Sequence, residues 1–204
     1  MKLGIVDLNT GNLASLLSAL NKLNINFKIC KNSFDFEDVD KIILPGVGAF
    51  KDLMKKIKEK NMDKIILAKI DKNVPVLGVC VGFQILFSGS YEHGYCKGLG
   101  LIKGNFINFK DESEKIKVPH VGWNECKILK KNKLFQDIED NCDFYFTHSY
   151  YLKDYNIENV TTKTIYDLNF VSSINMKNIY GVQFHPEKSQ LNGLKIIKNF
   201  YESC

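Results

Sequence analysis

The sequence predicts an α/β protein built on a mostly parallel open sheet with helices on both faces and an added section of antiparallel strands. Three observations lead there. Short apolar runs of strand length alternate with amphipathic helical stretches through the N-terminal half, the pattern of a sheet covered by helices. Residues 74–87 read as an apolar strand that turns sharply through Gly78-Val79-Cys80-Val81-Gly82 into a helix, and such an elbow sits at the carboxyl end of a central strand. Near the C-terminus, residues 160–165, 170–176 and 179–184 read as three short strands in an antiparallel meander, with turns at residues 167–169 and 177–178.

Taken in order, residues 3–6 form the first strand, followed by a loop over residues 7–12. A helix then shows apolar positions at Leu13, Leu16, Leu17, Leu20 and Leu23. Gly11 alone makes no dinucleotide fingerprint, because the G-x-G-x-x-G spacing is missing. Residues 25–30 and 41–44 continue as strands. Pro45-Gly46-Val47-Gly48 follows at a strand's carboxyl end, where open α/β sheets hold their ligands, and its two glycines allow backbone N–H groups to face inward. Residues 50–72 read as two lysine-rich amphipathic helices leading into the elbow. The extended stretch over residues 94–109 fits a strand pair in place of the helices of a regular doubly wound fold. Residues 111–117 form a charged loop with no legible chemistry. Residues 144–147 are strand-like, and the closing helix over residues 193–201 docks Leu194, Ile196, Ile197 and Phe200 on the sheet. No repeat or linker divides the chain, so residues 1–204 are expected to form one domain.

Cys80 is the candidate nucleophile. Gly78 and Gly82, two residues to either side, let the backbone fold tightly enough to present the thiol. A helix N-terminus favours the thiolate. An apolar-flanked cysteine is often simply buried, so the elbow needs a partner. The strand over residues 179–184 supplies one by delivering His185 at its end, with Glu187 two residues on. A nucleophilic cysteine requires a base, and the base requires a third group to fix its tautomer. His148 is a rival base, but no carboxylate stands two residues from it. Gln84, one helical turn beyond Cys80, points its amide toward the same pocket.

Composition excludes several classes of function. All 28 basic residues are lysine and the net charge is +5, but the lysines are interleaved with Asp and Glu instead of forming an aromatic-studded stripe. That is a solvated surface, not a nucleic-acid interface. No apolar run approaches the roughly 18 residues of a membrane span. The six cysteines form no C-x-x-C pair and are expected to be reduced, which together with a start directly on a strand predicts a cytoplasmic protein.

With the elbow and the residues 183–189 Gln-Phe-His-Pro-Glu-Lys-Ser stand three further motifs: residues 44–50 Leu-Pro-Gly-Val-Gly-Ala-Phe, residues 118–124 Val-Pro-His-Val-Gly-Trp-Asn, and residues 145–151 Tyr-Phe-Thr-His-Ser-Tyr-Tyr. In these motifs, in this order, the chain resembles the class I, or triad, glutamine amidotransferases, and within them the branch serving imidazole glycerol phosphate synthases. The resemblance implies a Cys80–His185–Glu187 triad acting on L-glutamine without cofactor or metal. It implies an oxyanion hole from Val47, Gly48 and Val81, and glutamine binding by Gly48, Gln84, His148, Ser149 and Tyr150. It also implies a heterodimer with a (β/α)8-barrel cyclase, contacted through Asn12, Trp123 and Lys188, which uses the ammonia to form imidazole glycerol phosphate and AICAR in histidine biosynthesis. Ala14 stands where relatives typically carry Arg, and Val81 and Phe83 stand where Leu and Met are common. These departures spare the triad but touch the partner side, so the same chemistry feeding another acceptor, such as a sugar amidination pathway, is the alternative. A non-amidotransferase cysteine hydrolase and a silent interaction subunit are the readings from other classes. Gln84 with residues 148–150 speaks against the first, and the intact triad against the second.

Overall fold

The computed structural model describes residues 1–8 and 13–204. Strand β1 (Leu3–Val6) is buried throughout and runs parallel to β2 (Phe27–Cys30) and β3 (Lys41–Gly46). Helix α1 (Leu13–Lys22) connects β1 to β2, burying Leu16, Ala19 and Leu20. Helices α2 (Phe50–Glu59) and α3 (Met62–Asp71) connect β3 to β4 (Val76–Cys80), burying Phe50, Leu53, Met54 and Ile57 from the first and Met62, Ile66 and Ile70 from the second. The first crossover moves outward across the sheet from β1 and the second moves inward from β3. Right-handed connections therefore put α1 on one face and α2 with α3 on the other.

The sheet order is β2-β1-β3-β4-β13-β12-β11-β8-β9. It is parallel from β2 to β13 (Ile179–Val182) and antiparallel beyond. The added section holds β12 (Leu168–Met176), β11 (Val160–Tyr166), β8 (His120–Ile128) and β9 (Cys142–His148). The meander expected at the C-terminus is present, and its last strand pairs with β4 in register Gly181 to Gly78. That pairing brings residue 185 to the elbow, over 100 positions from Cys80 in sequence.

Three details differ from the sequence expectation. The helix after the elbow, α4 (Val81–Gln84), lasts a single turn, and the chain leaves it for β5 (Phe87–Ser90). The backbone carbonyls of Ile85, Leu86 and Phe87 accept from Leu99, Leu101 and Gly100 instead of from a continuing helix. The Phe83, Phe87 and Phe106 rings meet edge to face beneath them, with centroids 5.1–5.6 Å apart. β5 thereby joins β6 (Cys96–Lys97), β7 (Ile102–Asn108) and β10 (Tyr150–Lys153) in a second sheet of order β10-β7-β5-β6. Leu168 and Asn169 already pair within the meander, leaving Asp167, at φ 54°, as the turn. Finally, the closing helix α5 (Gln190–Ser203) is longer at both ends than expected.

Candidate active site

Cys80 lies where β4 gives way to α4, at φ 54° and ψ −113°. Such a backbone costs on the order of 1–3 kcal/mol and persists only where its surroundings enforce it. Here glycines allow the enforcing contact. A Cβ on Gly82 would stand 1.8 Å from the Leu44 carbonyl oxygen, and one on Gly46 would stand 2.5 Å from the Gly82 nitrogen. The Cys80 Sγ is 3.8 Å from the Thr147 carbonyl oxygen, and Gln183 Nε2 donates toward it at 3.8 Å. Gln84 Nε2 donates in turn to Gln183 Oε1 at 3.1 Å. Gln183 opens the motif of residues 183–189, which assigned it no role of its own at the site.

His185 follows β13, and its Nδ1–H donates to Glu187 Oε1 at 2.8 Å. The loop is held from β9: the His185 N–H donates to the Tyr145 carbonyl at 2.8 Å, and Ser189 Oγ donates to the His185 carbonyl at 2.6 Å while accepting from the Tyr145 N–H. His185 Nε2 is buried without a well-formed hydrogen bond among the described residues. What links it to Cys80 is attraction. Burial is the largest single influence on the imidazole and works against its proton. The Cys80 sulfur and then Glu187 overcome it, holding the pKa up at about 10. The ring is therefore an imidazolium set beside the nucleophile's sulfur. By contrast, burial pushes the Cys30 thiol up to about 11 and Cys126 to about 12, and raises Cys142 and Cys204.

A cavity of about 310 Å³ opens over this pair. Val47, Gly48 and Val81 are among the residues that line it. Gly48 has φ +95°, which favours glycine, and Val81 opens α4, so its N–H has no intrahelical acceptor. Gln84, His148, Ser149 and Tyr150 also line the cavity. His148 is no rival base, since both ring nitrogens are engaged, one by His120 and one by the Tyr150 carbonyl. The sequence reading missed Glu92, the one carboxylate of the lining, which accepts from the Phe50 N–H at 2.6 Å. It lies in a stretch with no motif to flag it.

Trp123 and Lys188, expected at a partner face, are not among the residues lining the cavity. Trp123 is 43% exposed and meets Tyr145 edge to face at 5.9 Å, and Lys188 Nζ sits 5.5 Å from the centre of the same ring. Asn12 lies outside the described residues, as does the end of the first loop. All six cysteines are free, and no described helix is long and apolar enough to cross a membrane. Among the described residues no cluster of His, Cys, Asp and Glu could hold a metal ion.

An elbow cysteine paired with a histidine and a glutamate on this sheet defines a class, and the chain belongs to the class-I glutamine amidotransferase family, whose model matches residues 4–204. It is a glutamine amidotransferase enzyme. The chain is 46% identical over 200 residues to imidazole glycerol phosphate synthase subunit HisH of Methanocaldococcus jannaschii, covering 98% of each protein. It is 43% identical to subunit HisH 1 of Campylobacter jejuni, covering 97% of this chain and 98% of that one. In fold it matches the solved structure of PurLQS from Thermotoga maritima with a TM-score of 0.77 at 17% identity, over 98% of this chain and 97% of that one.

Proposed function

We propose that this chain is the glutaminase subunit of an imidazole glycerol phosphate synthase, a single glutaminase domain that feeds ammonia to a (β/α)8-barrel cyclase in a heterodimer. The observation that carries the reading is the Cys80–His185–Glu187 arrangement opening onto a cavity of about 310 Å³ lined by Gln84, Glu92 and residues 148–150. The Cys80 thiolate attacks the side-chain amide carbon, and the oxyanion is met by N–H groups of the Val47–Gly48 loop and of Val81. As the C–N bond breaks, the His185 imidazolium gives its proton to the departing nitrogen, releasing ammonia and leaving a thioester. Water, deprotonated by His185, then hydrolyses the thioester to glutamate. Glu187 holds the ring throughout. Glu92 meets the substrate's ammonium group, and residues 148–150 its carboxylate. Trp123 and Lys188, with Asn12, form the face for the barrel.

Ammonia is protonated in bulk water, and residues 4–204 are taken up by the glutaminase family match, so the ammonia is passed on to an acceptor. The near full-length match to HisH proteins supports histidine biosynthesis over sugar amidination. The free cysteines support a reducing, cytoplasmic setting. The test is complementation of a histidine auxotroph lacking this subunit, supplied together with the cognate barrel protein. Growth without histidine is expected. Failure by a pair that binds and hydrolyses glutamine would overturn the acceptor and leave the glutaminase.

A further inference from the structure

His148 lines the pocket and His120 lies directly behind it, and the proposed chemistry leaves the protonation of this pair unexplained. Both are buried, and they face each other across the antiparallel pair β8 and β9. Their rings form one continuous line. Asn124 Oδ1 is 3.0 Å from His120 Nε2, His120 Nδ1 is 3.0 Å from His148 Nε2, and His148 Nδ1 is 2.8 Å from the Tyr150 carbonyl oxygen.

Both ends of this line are acceptors. A carbonyl oxygen can only accept. The Asn124 amide is oriented by its other end, because Nδ2 donates to the Ile165 carbonyl at 3.0 Å. Turning the amide over would set its oxygen against that carbonyl. Three contacts strung between two acceptors need three ring hydrogens, whereas two neutral imidazoles carry only two. With two, one contact of 3.0 Å or less would bring lone pair against lone pair in a buried site, where unmet polar groups are costly.

We propose that His120 and His148 share a third proton, so that the pair is a single buried cation behind the Ser149 rim of the pocket, serving as the positive charge for the α-carboxylate of glutamine. The proton count stands on geometry alone, and its role toward glutamine rests on the function proposed above. Two further observations fit. His120 stacks on Tyr166 at 4.0 Å and on Phe146 at 4.9 Å between ring centroids, both at 20°, and a cation is attracted to such ring faces. The chain has no arginine and no lysine lines the cavity, so a bound zwitterion finds Glu92 for its ammonium but no other uncommitted cation for its carboxylate. The charge on His185 is already matched by Cys80 and Glu187.

Burial works against the shared proton. It lowers both rings, helped at His148 by the neighbouring His120 and His185 charges, while the Asn124 oxygen that accepts from His120 and the Tyr150 carbonyl that accepts from His148 pull the other way. Among the described residues, the titratable groups facing the pair are His185 from beyond β13 and the Tyr166 phenol from β11, whose hydroxyl donates to the Lys117 carbonyl. Phe109, Phe146 and Phe170 complete the surroundings and carry no charge. The cation is present below the pair's midpoint and lost above it. Glutamine binding is therefore tight on the acid side and weakens as pH rises.

The protein has four histidines, which makes the count measurable on the full chain labelled with ¹⁵N-histidine. His93→Gln and His120→Gln assign the ring signals. Three protonated nitrogens among the four of the pair at pH 7 are expected, and two would overturn the shared proton. This readout needs no activity, so it stands or falls apart from the glutaminase reading. The second arm uses the complex with its barrel subunit. Wild-type KM for glutamine should rise with pH, while KM for glutaminamide, which lacks the carboxylate, should stay flat. His120→Phe keeps an aromatic ring on Tyr166 and Phe146 but holds no proton, and it should raise the glutamine KM about tenfold with kcat little changed. Equal pH dependence for the two substrates would overturn the carboxylate role even if the variant failed to fold.

Discussion

At the scale of single residues, the reactive pair is defined by what surrounds it. His185 keeps its proton because Cys80 and Glu187 outweigh a strongly unfavourable burial. A histidine whose folded pKa is raised stabilises the fold fully at pH below its unfolded value of 6.5, where both states hold the proton. That stabilisation drains away as pH climbs through about 10. Glu187→Gln, which keeps the shape and removes the charge, is expected to lose stability mainly on the acid side of this window, with the two proteins converging toward pH 10. Urea unfolding across that pH range measures it. Cys80→Ala should abolish glutamate release with the fold intact, and a glutamine-analogue electrophile should label Cys80, since of the six cysteines it alone lines the cavity. Mass spectrometry locates the label, and a modified cysteine other than Cys80 would contradict the assignment.

At the scale of elements, the elbow depends on backbones touching backbones. Gly82 has no room for a methyl group, because Leu44 lies in the way, so Gly82→Ala is expected to cost about 3 kcal/mol or more as β3 and α4 are forced apart. Gly48 is the opposite case. Its surroundings are open, and only its φ of +95° opposes a side chain, so Gly48→Ala should cost about 1–2 kcal/mol in stability yet lose most glutaminase activity by reshaping the oxyanion loop. Urea midpoints and kcat separate the two. The sequence showed this element's purpose but not its extent. Glycines around Cys80 announced a tight turn, and His185 with Glu187 announced the base. The single-turn length of α4 was hidden, because the groups that end it, Leu99 to Ile102, act from more than a dozen residues away. Glu92 was equally invisible. It reaches the cavity through tertiary placement, from the loop after β5, with no spacing to signal it.

At the scale of the whole molecule, the antiparallel section does two things at once. Strands β8 and β9 carry His148 into the cavity wall with His120 directly behind it, and the alternation of side chains along the same strands turns Trp123 and Tyr145 outward. Lys188 lies over Tyr145, three residues from His185, while Ser189 ties Tyr145 to the histidine loop through its hydroxyl. A partner seated on Trp123 would therefore press on a strand that is hydrogen-bonded directly to the base, which gives docking a short physical route to the reaction. Exposed tryptophans at the centre of an interface are frequent hot spots, and Trp123→Ala is expected to cost about 2 kcal/mol of binding, roughly thirtyfold in Kd. Docking is expected to raise glutamate release through this route, and at saturating barrel subunit the variant should recover only part of that rise, because the contact that bears on Tyr145 is gone. Calorimetric titration gives the first quantity, and glutamate release at saturation gives the second. Full stimulation at saturation would mean that Trp123 supplies affinity alone and that activation travels by another path.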